Sequence, residues 1–240
     1  MTGNVSAQNR SGGTGFHPLV EMGDHFRVLD LDLGYHPAAI SLDPPSIGRY
    51  NEKRRGMYTT DLFGGVRNIH VGLDFWVPPG TPVYAFDDGD VLFFRNNDHP
   101  GDYGPTVVTR HSGPEVQKLL KMLQHATGSG SDSGSGSKSD TDFYSSPDTD
   151  TTSDALYALH GHLSRDTLSG LVDGMPLKRG QVIATVGTEH ENGGWVPHLH
   201  FQLALHPPKE PDMPGVVSEA DLPEALKHYP DPQWVTGRYY

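Results

Sequence analysis

Apolar and polar residues alternate with a period of two through much of the chain, and that period predicts strands. From Ile69 onward, Val71, Leu73 and Phe75 alternate with His70, Gly72 and Asp74. A Pro-Pro-Gly-Thr-Pro turn at 78–82 follows, then strands at Val83–Phe86 and Asp90–Arg95 around an Asp-Asp-Gly turn. Thr106–His111, Leu156–Leu163, Gln181–Gly187 and Pro197–Leu205 read as further strands, with Met175–Gly180 as a turn. Phe26–Leu33 also alternates and predicts a strand in an otherwise irregular lead-in, His17–Gly56. Helical spacing is confined to Val116–Leu123 and Glu219–His228. The expected class is all-β, with short helices in an insertion and in the tail.

Composition divides the chain. Residues 1–16 are rich in Gly, Ser, Thr and Asn and are expected to be disordered. Residues 17–240 are expected to form a single domain. It is interrupted at 113–153 by an acidic, Gly/Ser-rich, partly disordered insertion and ends in an irregular Pro-rich extension at 206–240. The net charge of −12 argues against nucleic acid and anionic membrane as partners, since both need a basic footprint. With no cysteine, disulfides, thiolate metal sites and cysteine nucleophiles are excluded, so a metal must be held by nitrogen and oxygen. No apolar run approaches the ~20 residues of a membrane span, and the polar N-terminus lacks a signal-like stretch. A soluble, cytoplasmic chain is expected. Its oligomeric state is not legible.

Five of the 14 histidines and one aspartate lie in three short clusters on strand-like sequence: His70-Val-Gly-Leu-Asp74, His160-Gly-His162 and His198-Leu-His200. Residues two apart on a strand share a face at roughly 6–7 Å, while zinc–nitrogen bonds are about 2.0–2.1 Å. One imidazole of such a pair can therefore bind an ion while its neighbour stands over it. His160 and His162 repeat the spacing of His198 and His200. His70 and Asp74 would lie about 13 Å apart on a straight strand, so the chain must bend between them, and Gly72 is where it can. Three such clusters point to one mononuclear, zinc-type site. The remaining histidines read as solvated, except His111, which reads as structural at a strand end.

The clusters and the phrases between them resemble the lysostaphin-type zinc endopeptidase family. Its marks are H-x-x-x-D, Tyr-x-His-Leu and H-x-H; here they read Ile69-His-Val-Gly-Leu-Asp-Phe75, Leu159-His-Gly-His-Leu-Ser164 and Pro197-His-Leu-His-Phe-Gln202. Pro79-Gly-Thr-Pro-Val-Tyr-Ala, Asp88-Gly-Asp-Val, Tyr103-Gly-Pro-Thr-Val-Val and Leu177–Gly187 also look like the family, in order, over about residues 66–113 and 154–205. Gly48-Arg-Tyr-Asn-Glu and the tail resemble the version joined to class III aminotransferases, although this chain holds no aminotransferase.

The resemblance implies a compact antiparallel, barrel-sandwich-like β-sheet with a groove over the metal. It implies one zinc ion held by His70, Asp74 and His200 with a fourth position open, and His162 and His198 as catalytic imidazoles. His160 stands where the family carries Tyr, which leaves open whether His160 or His162 takes that role. The implied activity is hydrolysis of peptide bonds, in peptides or glycine-containing, peptidoglycan-type cross-links. His198 would be general base, and His162 would stabilise the oxyanion or protonate the leaving amine. Tyr58 is a further candidate for assisting the transition state, and Tyr103 and Trp195 for lining the groove. A non-catalytic metal-binding module of the same fold, a histidine phosphocarrier and a two-histidine, one-carboxylate iron oxygenase are the rival functions.

Overall fold

A computed structural model describes residues 15–127 and 154–240. Among them, thirteen strands follow in chain order: β1 (Arg27–Val28), β2 (Ser46–Gly48), β3 (Glu52–Lys53), β4 (Ile69–His70), β5 (Leu73–Trp76), β6 (Pro82–Tyr84), β7 (Gly89–Asn97), β8 (Gly104–His111), β9 (Leu156–Gly161), β10 (Pro176–Leu177), β11 (Val182–Thr185), β12 (Leu199–Ala204) and β13 (Val216–Val217). Helix α1 spans Pro114–Thr127, α2 Leu222–His228 and α3 Gln233–Thr236. The fold is mostly antiparallel β with few short helices, as the alternation predicts.

An eight-stranded sheet in the order β1-β2-β5-β12-β9-β8-β7-β10 forms the body, antiparallel throughout except for the β1–β2 edge pair. Alternation along β12 decides its two faces. Leu199, Phe201 and Leu203 enter the main core with Leu73, Phe75, Val107 and Ala158, while His200 and Gln202 point the other way. Residues Val83, Ala85 and Phe86 on and just after β6, and Ile183 and Ala184 of β11, close over that core, and α1 adds Val116, Leu119, Leu120 and Leu123. Helix α1 is therefore part of the core. Of the stretches expected to be disordered, 1–16 and part of 113–153, residues 1–14 and 128–153 lie outside the described residues, whereas Phe16 packs edge-on against Phe86 at 5.6 Å.

Three local expectations are corrected. Phe26–Leu33 gives only the two-residue β1 and then a 3-10 turn at Leu31–Leu33, where Leu33 is 74% exposed. Its neighbour β2 is only three residues long, and the two strands pair over just two positions. The expected turn at 175–180 begins as edge strand β10, paired with β7. The 206–240 tail, expected to be irregular, carries β13, α2 and α3: β13 pairs with β4, and Tyr239 stacks edge-on against Phe26 and Phe75 at 5.5 and 5.6 Å.

Candidate metal centre

The segment carrying His70 and Asp74 changes sheets. His70 ends β4, which lies between β13 and β3, whereas Asp74 belongs to β5 in the large sheet. The break falls at Val71-Gly72 and brings residues four apart to one point. Gly72 has a second duty, because a Cβ there would lie 2.4 Å from His200 Cε1 and 2.7 Å from Nε2. Only a missing side chain lets the His200 ring through.

Across the sheet, Gly48, Asp74, His200 and Gly161 stand in one register row on β2, β5, β12 and β9. Two ligating residue types sit in the middle and two glycines flank them. The space each glycine leaves is filled from elsewhere. Arg54 and Trp76 occupy the Gly48 side, and the Tyr103 ring lies 2.7 Å from where a Gly161 Cβ would be.

His70 Nε2, Asp74 Oδ1 and His200 Nδ1 form a triangle with edges of 3.2, 3.0 and 3.0 Å. Tetrahedral bonds of 2.0–2.1 Å place ligand atoms about 3.3 Å apart, so the triangle is close to that of three corners around a zinc ion. All three side chains are buried.

Hydrogen bonds turn the other imidazole nitrogens outward. His200 Nε2 lies 3.2 Å from Gln202 Oε1, and Gln202 Nε2 donates to the Pro214 carbonyl, which sets the amide so that its oxygen faces the ring. His200 Nε2 is then the donor, and Nδ1 keeps its lone pair. His70 Nδ1 faces two partners that select opposite tautomers. Protonated, it donates to the Arg49 carbonyl at 3.0 Å and leaves Nε2 free. Unprotonated, it accepts from Arg54 Nη2 at 2.8 Å. An ion at the centre selects the first.

Two more imidazoles stand over the triangle. His198 Nδ1 donates to the Val196 carbonyl at 2.7 Å, and its Nε2 lies 4.0 Å from Asp74 Oδ1. His162 Nδ1 donates to the Asn192 carbonyl at 2.8 Å, and the two rings lie 4.1 Å apart. Trp76 stacks on the far side of His198 at 5.4 Å.

His160 and His162 do not share a face, contrary to the spacing argument. His160 pairs with Val107 and Phe201 and lies fully buried on the core face. Strand β9 ends at Gly161, and His162 adopts a left-handed φ of 62°. That turn breaks the period of two and swings the ring onto the side of the His70–Asp74–His200 triangle.

Burial and neighbouring charge keep His70, His162 and His198 neutral. Burial pulls His70 down to about 3, aided by Arg54. Burial lowers His198 to about 4, and lowers His162 well below the usual range with help from His198 and His200. Burial alone would raise the Asp74 carboxyl, but His70, Arg54 and the other imidazoles hold it well below the carboxylate range. A neutral His70 and an ionised Asp74 thus face one point together with His200 Nδ1, a nitrogen-and-oxygen donor set of the kind a divalent cation takes. Zinc fits it by charge, donor type and spacing.

A cavity of about 180 Å³ opens beside His70, His162 and His200, walled by Tyr58, Phe63, Tyr103 and Met213. Asp102 and Asp212 line it as well. Burial, with Asp102 and Glu210 nearby, pushes the Asp212 carboxyl up to about 6. Tyr103 donates its hydroxyl proton to the Met213 carbonyl, so its ring is wall and its oxygen is spoken for. The Trp195 ring lies 6.5 Å from His162.

Sequence reasoning missed Arg54, Glu52, Asn192 and the supporting roles of Gln202 and the tail. Arg54 is fully buried between Asp74, His70 and Tyr58. An arginine in an irregular lead-in carries no periodic signal, and Asn192 acts through its backbone carbonyl, which any residue has.

No protein-family model matches the chain. Over 53 residues it is 40% identical to the peptidoglycan DD-endopeptidase ShyA of Vibrio cholerae serotype O1, a stretch covering 22% of this chain and 12% of that protein. Among solved structures it is similar to a zinc-containing peptidase from Vibrio cholerae, at 23% identity over 65% of this chain and 31% of that one, with a TM-score of 0.36. It is also similar to the catalytic domain of the antimicrobial peptidase lysostaphin from Staphylococcus simulans, at 15% identity over 77% and 94%, with a TM-score of 0.40. Likenesses at this level carry no chemistry, which rests on the geometry above. Among the described residues, no helix is long and apolar enough to cross a membrane.

Proposed function

We propose that the chain is a zinc-dependent endopeptidase, acting on peptides or on glycine-containing, peptidoglycan-type cross-links. The observation that carries this reading is the buried triangle of His70 Nε2, Asp74 Oδ1 and His200 Nδ1, with two further imidazoles above it. The short stretch shared with a peptidoglycan endopeptidase agrees with it.

Three protein donors leave a fourth corner open, the arrangement of catalytic rather than structural zinc. When bound, zinc polarises a carbonyl and makes water nucleophilic near neutral pH. The chain's own groups do the rest. His198, oriented through Nδ1 by the Val196 carbonyl, presents Nε2 as the acceptor for the proton of the attacking water. His162, oriented by the Asn192 carbonyl, presents its own Nε2 beside it, and the proton that His198 takes from the water is the one these two imidazoles return to the leaving amine. Tyr58 accepts an N–H from Arg54 at 3.0 Å, which leaves its hydroxyl proton to donate to the developing oxyanion. The cavity beside the triangle takes one arm of the substrate.

Metal analysis and cleavage of a peptide library, with and without chelator, test the reading. His200→Ala is expected to lose zinc and activity together. His198→Ala is expected to keep zinc and lose turnover by about 10²–10⁴-fold, the range a general base contributes. Equal zinc loss in both variants would overturn the division into ligand and base.

A further inference from the structure

We propose that Arg54 makes Asp74 a one-oxygen ligand and so keeps the fourth corner of the site free. The proposal rests on the reading of His70, Asp74 and His200 as a metal site.

The two oxygens of Asp74 have separate partners. Oδ1 faces His200 Nδ1 at 3.0 Å and His70 Nε2 at 3.2 Å, while Oδ2 accepts from Arg54 Nη1 at 2.6 Å. The Arg54 side chain is fully enclosed. Its Nε reaches Glu52 Oε2 at 3.4 Å, and its guanidinium lies 5.6 Å from the Trp76 ring centroid. Burial alone would make the guanidinium easier to deprotonate, but Tyr58, Asp74 and Glu52 keep it charged. The backbone is shaped to admit it. Gly48 stands directly across from Asp74, and a Cβ there would lie 2.6 Å from Arg54 Nη2 and 2.4 Å from Trp76 Cζ3.

A carboxylate with both oxygens free can chelate a divalent ion through both, and here that would fill the corner a substrate needs. The guanidinium prevents this by holding Oδ2 with a charge-assisted bond. Glu52 faces the guanidinium from the other side through Oε2 and is itself held by Arg49 through Oε1 at 2.8 Å. Partners that orient a ligand in this way typically change metal affinity 10–100-fold.

The test uses the full chain loaded with zinc or with cobalt(II), whose visible absorption is intense in four-coordinate sites and weaker in five-coordinate ones. Replacing Arg54→Gln together with Glu52→Gln removes the guanidinium and the carboxylate it faces, and Arg49, which Glu52 also holds, is partly exposed and keeps Asp30 as a partner. We expect zinc affinity to fall about 10–100-fold and the cobalt band to weaken severalfold, as Asp74 turns two-oxygen. Arg54→Lys should restore the band, because an ammonium still covers Oδ2. Gly48→Ala presses on the guanidinium and the Trp76 ring without removing any charge and carries the same expectation as the double change, should that variant not fold. A wild-type band in weakly binding variants would mean that Arg54 is only a structural staple, and the proposal fails. Wild-type protein that takes up neither ion would instead sink the metal reading itself.

Discussion

At the scale of single residues, the candidate site depends on what is missing as much as on what is present. The histidines and aspartate were legible because their spacing is chemical: H-x-H and H-x-x-x-D on strand-like sequence have few bland explanations when they occur together. The glycines were only partly legible. Gly72 was expected as a bend, and the chain does change sheets there, yet its closer constraint is the His200 ring passing over it. Gly72→Ala should therefore displace His200 and lower stability by about 1–3 kcal/mol, the usual cost of overpacking. Melting curves and bound zinc should both fall. A variant with wild-type zinc content and melting would show that the ring has room to spare. His162 makes the opposite point. Nothing in its spacing signals a left-handed φ of 62°, which depends on how β9 ends against Tyr103 and Gly187.

At the scale of elements, the tail contributes more order than its text suggests. Its Pro-rich text reads as an extension, because a two-residue strand leaves almost no periodic trace. In the fold, β13 pairs Val216 with His70, the Gly215 carbonyl accepts from Val71 N at 3.0 Å, and the Pro214 carbonyl fixes Gln202. Met213 and Tyr103 then close the cavity wall. Removing residues 206–240 is expected to abolish cooperative unfolding and zinc uptake together, as followed by circular dichroism and metal analysis. A truncated chain that melts cooperatively and holds zinc would contradict this. Helix α1 forms where the helical spacing of Val116–Leu123 predicts it, and its apolar stripe of Val116, Leu119, Leu120 and Leu123 lies in the main core.

At the scale of the whole molecule, buried neutral histidines couple folding to pH. His111 and His160 lie away from the metal triangle, one against Phe86 and the other beside Phe201, with burial pulling them down to about 4 and about 3. The unfolded chain protonates both below about 6.5, while the folded chain does not. Their contribution is therefore full above that pH and declines as pH falls. The decline is about 1.4 kcal/mol per pH unit for each histidine, and it continues until His111 itself protonates near 4. Asp74, held below the carboxylate range, adds a further loss only at lower pH. Urea denaturation at pH 7, 6 and 5 should show this slope, and His160→Gln should reduce it by about 1.4 kcal/mol per unit. An unchanged slope would mean that His160 is neutral for some other reason or gains a proton in place.

The sequence by itself determined the β class, the faces of the long strands and which side chains could bind a metal, because period and donor chemistry are local properties. Tertiary structure alone decided which of two nearby histidines reaches the His70–Asp74–His200 triangle, that an arginine from the lead-in grips the aspartate, and that the tail walls the cavity. Those outcomes depend on where a strand stops and on which backbones leave room for a neighbour. Such constraints arise only when distant segments pack, and no stretch of the chain carries them on its own.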